Sequence, residues 1–382
     1  MQIKMLVLMT VLTALPLTAI SKEALVMLQE LESEVLKNNP EILMVEKKVE
    51  SATEKQSLAS ALPDPMIGYM VQNEGSPLTW TVGSAQMSMQ GVVFSQEIPF
   101  PGKLGTKGHA AVLEAEAEQE RARETRLRVL RSLRTAYYEY YYAYRSAEIL
   151  DETKELMKNV QRIAETKYAT GQGTQQDVVR AQLEVSMLLD RIAEAELNKE
   201  KQASVINALA GRDPLAPLGR PDNLPRQTPV ISVEEMASHA LSYAPALREK
   251  QRVVEQSREE LSLSRREYLP DMVVSGGWFK RGQLSDVWQA TVMFKVPLYF
   301  WNKSTAVNAS SADLSAARYE YDAERLATLA RVKDLYSSVK TSEHHIDLYE
   351  AGIIPQAKLS FQAATSNYQV GKTDFMSLLE RD

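Results

Sequence analysis

Apolar positions along this chain follow two spacings, and the change between them divides it into rods and ribbons. From Leu104 to about Lys167 there is no proline, and the only glycines, Gly105 and Gly108, sit at the start. Leu127, Leu130, Tyr137, Tyr141 and Tyr144 recur at steps of three and four, while Glu114, Glu116, Glu118 and Glu120 crowd a solvated stretch. This predicts one continuous helix of roughly 64 residues, about 95 Å long at 1.5 Å per residue and too long for an ordinary globular domain. A second rod is predicted from Ser304 to Tyr368, with a kink or register change at Pro355. Between the rods the period drops to two. Trp288, Ala290, Val292, Phe294 and Val296 point one way, Gln289, Thr291 and Lys295 the other, with Met293 breaking the polar side. An apolar and a mostly polar face over about ten residues suits a strand between lipid and a water-filled lumen, and also a strand of a soluble sandwich. Further strands are predicted at Met66 to Gln72 and Ala85 to Ile98, joined by a loop around Gly75 to Pro77. A leading helix is predicted over Lys22 to Ala61, stopped by Pro63 and Pro65.

The second half repeats the first. Lys167-Tyr168-Ala169-Thr170-Gly171 returns as Asn367-Tyr368-Gln369-Val370-Gly371, and Asp177-Val178-Val179-Arg180 aligns without a gap with Ser377-Leu378-Leu379-Glu380. Leu62-Pro63-Asp64 answers Leu269-Pro270-Asp271, and Lys103 answers Lys303. The expected organisation is a first repeat over 22–210, a linker over 211–231 and a second repeat over 232–382. Each repeat carries a moderate helix, two strands, a very long helix, a glycine-marked reversal and a returning helix. After the first reversal the chain runs from Asp177 to about Ala210 as the returning helix, whereas the second has only Ser377 to Asp382, so the second repeat is expected to lack its final helix. Composition leaves open whether that reflects a truncated frame or a different closure.

Composition narrows the function classes. A chain of 382 residues with 44% hydrophobic and 25% charged residues can bury a core, and a net charge of -6 without a basic stripe argues against nucleic acid. With no cysteine, disulfides, thiolate metal sites, cysteine nucleophiles and cysteine-linked lipid are excluded. Lys4, the apolar run Met5 to Leu15, Pro16 and the exit Ala19-Ile20-Ser21 read as a signal peptide over 1–21. No later stretch reaches the roughly 20 apolar residues of a membrane helix, so any membrane span must be a β-barrel.

The wording Ser95-Gln96-Glu97-Ile98-Pro99-Phe100-Pro101-Gly102-Lys103 leading into a long helix, with strand pairs and long helices twice over, resembles the TolC-like outer-membrane efflux family. It is particularly similar to the heavy-metal, CzcC-like and CusC-like branch. The resemblance implies a mainly α fold with a small β-barrel part: two strand hairpins per protomer, a homotrimer closing a twelve-stranded barrel in outer-membrane lipid, and helices forming a tunnel through the periplasm. It implies a non-enzymatic exit duct without cofactors, serving a tripartite system with a periplasmic adaptor (membrane fusion) protein and an inner-membrane RND-type pump, and exporting metal cations or small toxic compounds. Oligomerisation also follows physically, since four strands cannot close a barrel.

The tips of the long helices then become the candidate site. Gly171, Gln172, Gly173, Thr174 and Asp177, with Gly371, Lys372, Thr373 and Asp374, are the expected adaptor contacts or pore mouth, and Ser377 and Glu380 a possible gate. Gly171 and Gly371 suit a left-handed reversal, which a turn needs whatever its function. Other chemistry is thin. His344 and His345 are adjacent, diverge by about 100° on a helix and read as surface residues. Met66, Met70, Met87 and Met89 are compatible with soft-metal handling but are read as lipid-facing or packed apolar surface. The Tyr137 to Tyr144 run reads as interhelical packing. No catalytic motif stands out, and no metal or cofactor ligand set is assigned. The rival reading is a soluble periplasmic coiled-coil scaffold, which leaves the amphipathic strands unexplained.

Overall fold

The computed structural model describes residues 25–75, 78–224 and 231–379. The expected signal peptide and Glu380 lie outside the described residues. Two short helices, α1 (Leu28–Asn38) and α2 (Pro40–Ser60), lead into β1 (Met66–Gln72) and β2 (Met89–Ile98). The long α3 (Lys103–Ala169) and the returning α4 (Gln175–Leu209) follow. The order then recurs with α5 (Val233–Tyr243), α6 (Pro245–Arg266), β3 (Asp271–Arg281), β4 (Leu284–Lys295) and α7 (Phe300–Leu348). A π-helical turn over Tyr349–Ile353 joins α7 to α8 (Ile354–Gln369), and α9 (Phe375–Leu379) comes after the second reversal.

The expected leading helix is in fact two, because Pro40 cannot extend a helix and Asn39 caps a new one. The Asn39 carboxamide oxygen accepts from the amides of Glu41 and Ile42 at 2.9 and 3.2 Å, and its nitrogen donates to the Leu209 carbonyl at 2.8 Å. Pro245 breaks α5 from α6 in the same manner. The second expected strand begins at Met89 rather than Ala85, since the residues before it form turns held by a Thr81–Ser88 hydroxyl pair at 2.7 Å. The expected irregularity at Pro355 takes the form of the π turn. Proline donates no amide and crowds the carbonyl four residues back, and a wider turn relieves both.

The 67 residues of α3 make a rod of about 100 Å. Around Val129 and Leu133 it packs on α1, α2 and α4 through Leu31, Val35, Ile42 and Ile206, all fully buried. Tyr137 and Tyr140 belong to this core, and their hydroxyls also do polar work. Tyr137 donates to the Val26 carbonyl at 2.8 Å and accepts from the Asp222 amide at 3.0 Å, while Tyr140 donates to the Gly219 carbonyl at 3.0 Å. The run thus straps the connection between α4 and α5 onto the rod.

The four strands form one antiparallel sheet in the order β1-β2-β3-β4, so the hairpins of the two halves pair through β2 and β3. Where strands become helices, buried Lys103 donates to Asp271 at 2.8 Å and to the Leu269 carbonyl at 3.0 Å, and the Phe100 amide reaches the same carboxylate at 2.8 Å. One ammonium therefore fastens the β2-to-α3 junction to the start of β3.

Candidate functional site

Two features converge on function: the faces of the sheet and the paired tips of the rods. The register decides the faces. Trp288 pairs with Trp278, Val292 with Val274 and Phe294 with Met272. Trp278 pairs with Val92, which pairs with Tyr69, and Phe94 pairs with Ile67. All these residues share one side, because pairing partners face the same way. Ile67, Tyr69, Trp278, Trp288 and Phe294 are 58% to 75% exposed, so this side is a largely bare apolar surface, interrupted by Gln90, Gln96 and Lys280. Such a surface is too large to leave in water. The opposite side carries Ser95 hydrogen-bonded to Ser275 at 2.9 Å, with Thr291 next in the row, and Gln289, Glu97 and Lys295. It also carries Phe279, buried flat over Gly91 and Gly277 where a Cβ would come within 2.8 and 2.5 Å of its ring.

A strand of 12 residues spans about 40 Å and, tilted by roughly 45°, about 30 Å along a membrane normal, close to a bilayer's hydrocarbon thickness. Aromatics mark both ends. Trp278 and Trp288 lie towards the β3–β4 turn, and exposed Tyr299 and Trp301, rings 5.4 Å apart, follow β4 at the other end. This is the girdle pattern of outer-membrane barrels. Among the described residues no helix is long and apolar enough to cross a membrane.

At the first tip, Gly171 has φ +71°, and the amides of Gln172 and Gly173 return to the Lys167 carbonyl at 2.8 and 3.0 Å. Thr174 then starts α4 with a reciprocal capping box: its hydroxyl accepts from the Asp177 amide at 3.2 Å and its amide donates to the Asp177 carboxylate at 3.3 Å. The second tip repeats the reversal, with Gly371 at φ +74° and the Lys372 amide on the Asn367 carbonyl at 2.9 Å. Asp374 takes the capping role and accepts from the Ser377 amide at 3.0 Å. Hydrogen bonds from the Ser377 hydroxyl and amide hold the Asp374 carboxyl below its usual range. Gln172, Thr174, Lys372 and Asp374 are exposed, while Gly173, Thr373, Asp177 and Ser377 are half-buried. Residues 171–177 and 371–377 therefore share one end of the molecule, and the tips touch.

That contact rests on residues the sequence reading left out of the site. Lys167, 8% exposed, sends its ammonium across to the Tyr368 carbonyl and lies 4.6 Å from the Tyr368 ring centroid. Tyr368 is 2% exposed and stacks edge-on against Phe375 at 5.5 Å. Burial, with the Asp177 carboxylate nearby, pushes its phenol up to about 12. Met157, Val160, Ala164, Ala181 and Leu188 of the first tip close an apolar cluster with Ala364, Phe375 and Leu378 of the second. The signal was present in the repeat: Lys167 stands where the other copy has Asn367, and Tyr168 is 50% exposed where Tyr368 is buried. The copies diverged where one tip grips the other.

No group of three or more His, Asp or Glu that could hold a metal is found among the described residues. His344 and His345 are exposed, with ring centroids 6.5 Å apart. Of the two readings of the methionines, lipid-facing or packed apolar surface, the register speaks against the first for three of them: Met66 pairs with Ser95, Met70 with Gly91 and Met89 with Gln72, which puts them on the polar side of the sheet, where Met70 and Met89 are half-buried.

Comparison with known proteins follows the geometry. The chain matches the family described as outer membrane efflux protein over residues 31–212 and 236–381. It is 22% identical over 331 residues to the cobalt-zinc-cadmium resistance protein CzcC of Cupriavidus metallidurans, covering 84% of this chain and 75% of that protein. Its fold is that of the outer-membrane channel OprN (TM-score 0.80, 17% identity) and of CusC (0.80, 16%), each alignment covering 93% of this chain and 83% and 85% of theirs. VceC of Vibrio cholerae aligns with TM-score 0.77 at 18% identity, over 93% of this chain and 88% of that one. The mainly helical fold with its small antiparallel sheet is thus a TolC-like channel fold, and the soluble-scaffold alternative is not favoured. Matched across most of its length, the chain belongs to the outer membrane efflux protein family, transport proteins of the outer membrane.

Proposed function

We propose that three copies of this chain close a barrel in the outer membrane and form a passive exit duct for a tripartite efflux system. The single observation carrying this is the sheet. One face is bare and apolar, the other polar, and both long edges, β1 and β4, are unpaired among the described residues. An exposed edge demands a partner, and four strands are too few to curl shut, whereas three copies bring twelve. Each copy would act as two repeats, 22–210 and 232–382, joined by a linker over 211–231.

The rods would then continue the barrel into the periplasm, with the tips as the working end. Gln172, Thr174, Lys372 and Asp374 face outward there and would meet a periplasmic adaptor protein, with an inner-membrane RND-type pump supplying the energy. Nothing in the duct needs a cofactor, because a hydrated lumen and an apolar belt suffice for conduction. The likeness to a cobalt-zinc-cadmium resistance protein supports metal cations as cargo, with small toxic compounds using the same duct.

The test is the native mass of the protein extracted by detergent from purified outer membranes. A species near three times the protomer mass that conducts ions in planar bilayers is expected. A monomer recovered from the periplasm would overturn the proposal.

A further inference from the structure

The apolar side of the sheet carries charge at one end only. Within the strands its charged residues are Lys280 and Asp286, both beside the β3–β4 turn, while Glu97, Asp271 and Lys295 at the helix end all lie on the polar side. Lys280 pairs with Gln90 and stands one step along the same face from Trp278, which pairs with Trp288. Both indoles are largely bare. Lys280 is itself exposed, and among the described residues no acceptor meets its ammonium. The carboxylate on the same side, Asp286, is engaged elsewhere, accepting from Trp278 Nε1 at 3.2 Å. A lipid-facing lysine is unfavourable at the middle of a bilayer and tolerated near its surface, where the stem lies along apolar groups and the head reaches outward.

The rim around this ammonium is fastened rather than loose. Arg281 donates from Nε to the Ser285 carbonyl at 3.0 Å and from Nη1 to the Gln86 carbonyl at 3.3 Å, tying the β1–β2 connection to the β3–β4 turn. Gly282, at φ +67°, lies so close to Gly83 that a Cβ there would come within 2.2 Å of the Gly83 Cα. The result is a held cation with two indoles below it and the Gln90 carboxamide beside it, at the level where the apolar belt ends. Indoles favour the boundary between acyl chains and polar heads, and an unpaired ammonium at that boundary favours an anionic head.

We propose that Lys280, flanked by Trp278 and Trp288, binds a phosphate of the lipid A headgroup of outer-leaflet lipopolysaccharide. The inference rests on the exit-duct reading, which points the rods into the periplasm and so turns this rim outward, and it goes beyond that reading. Charge complementarity selects the occupant. Lipid A carries its phosphates directly on the sugars from which the acyl chains hang, the depth at which Lys280 stands, and those sugars can lie against the bare indoles. Phospholipid heads of the inner leaflet would meet the other end of the same face, which within the strands has no charge.

The test is native mass spectrometry of the detergent-extracted full-length protein, titrated with diphosphorylated lipid A, with the same lipid A stripped of its phosphates, and with phosphatidylglycerol. The phosphorylated form is expected to bind roughly tenfold or more tightly than the stripped form, the margin a charge-assisted hydrogen bond to phosphate supplies. Lys280→Gln should lose most of that margin and Lys280→Arg keep it, while Lys295→Gln, an exposed lysine on the polar side at the other end, leaves it unchanged. Equal binding of the two lipid A forms, a margin that survives Lys280→Gln, or phosphatidylglycerol matching lipid A overturns the inference. The comparison of the two lipid A forms uses the native chain alone, so it decides the matter even where Lys280→Gln fails to assemble. A trimeric, conducting protein without the phosphate preference overturns this inference and leaves the duct reading standing, whereas a soluble monomer overturns both.

Discussion

Replacing Lys167 with methionine removes the ammonium that ties one tip to the other and keeps most of the side-chain stem. Lys167 is buried at the contact, donates to the Tyr368 carbonyl and sits 4.6 Å from the centroid of that ring. A hydrogen bond from a charged donor contributes about 1.5–3 kcal/mol, and its loss leaves the Tyr368 carbonyl without that donor in an apolar pocket. The cation–π contact adds to this, while the recovered cost of burying an ammonium subtracts a comparable amount, so about 1.5–3 kcal/mol stands as the net loss. At 1.4 kcal/mol per factor of ten, tip separation becomes about 10- to 150-fold more populated. Hydrogen exchange on the assembled protein reads this directly: amides 364–371 should exchange faster by that factor in Lys167→Met, while those around Leu133 and Ile206 stay unchanged. Lys167→Arg, which keeps a donor, should retain most of the protection. Unchanged exchange in Lys167→Met, or equal loss in both variants, would refute the idea that a specific ammonium holds the tips together.

Three further outcomes are expected. Lys103→Met leaves half-buried Asp271 beside the Phe100 amide without its cation, which should cost about 1.5–3 kcal/mol and lower the temperature at which the assembly dissociates in detergent gels. Val292→Arg, on the lipid side, should cost about 2–4 kcal/mol of barrel stability, whereas Thr291→Arg, one residue away on the lumen side, should assemble and shift selectivity from cations towards anions. Because the Asp374 carboxyl is depressed in the folded state, the α9 cap is fully present above the ordinary carboxylate value of 3.8 and weakens as pH falls through the lower folded value. Exchange of the Ser377 amide should therefore lose protection below about pH 4 in the native protein and show no such step in Asp374→Asn.

Much of this architecture is legible in the sequence because it is periodic. The rods announce themselves by the absence of proline over Leu104 to Lys167 and by matching glycines at Gly171 and Gly371, and β4 by its alternation from Trp288 to Val296, broken only at Met293. The break at Asn39-Pro40 was equally readable, since asparagine before proline is a cap followed by a first-turn residue, but helix-favouring composition on both sides hid it. Register was not readable. Which way Met66 and Met70 point depends on their pairing with Ser95 and Gly91, and those partners depend on a hairpin whose turn residues do not set it alone. The tip contact was hidden for a similar reason. Lys167 and Tyr368 lie 201 residues apart, each ordinary on its own, and the repeat hints at their meeting only through Asn367 standing where the first copy has Lys167.

The central claim, a lipid-facing apolar side and a water-lined polar side of one barrel, can be tested at two adjacent residues because the native chain has no cysteine to interfere. Thr291→Cys and Val292→Cys channels in planar bilayers would be exposed to a charged, membrane-impermeant thiol reagent while current is recorded. A step change in conductance for Thr291→Cys and none for Val292→Cys is the expected result. A silent Thr291→Cys beside a reactive Val292→Cys would invert the two faces and contradict the account.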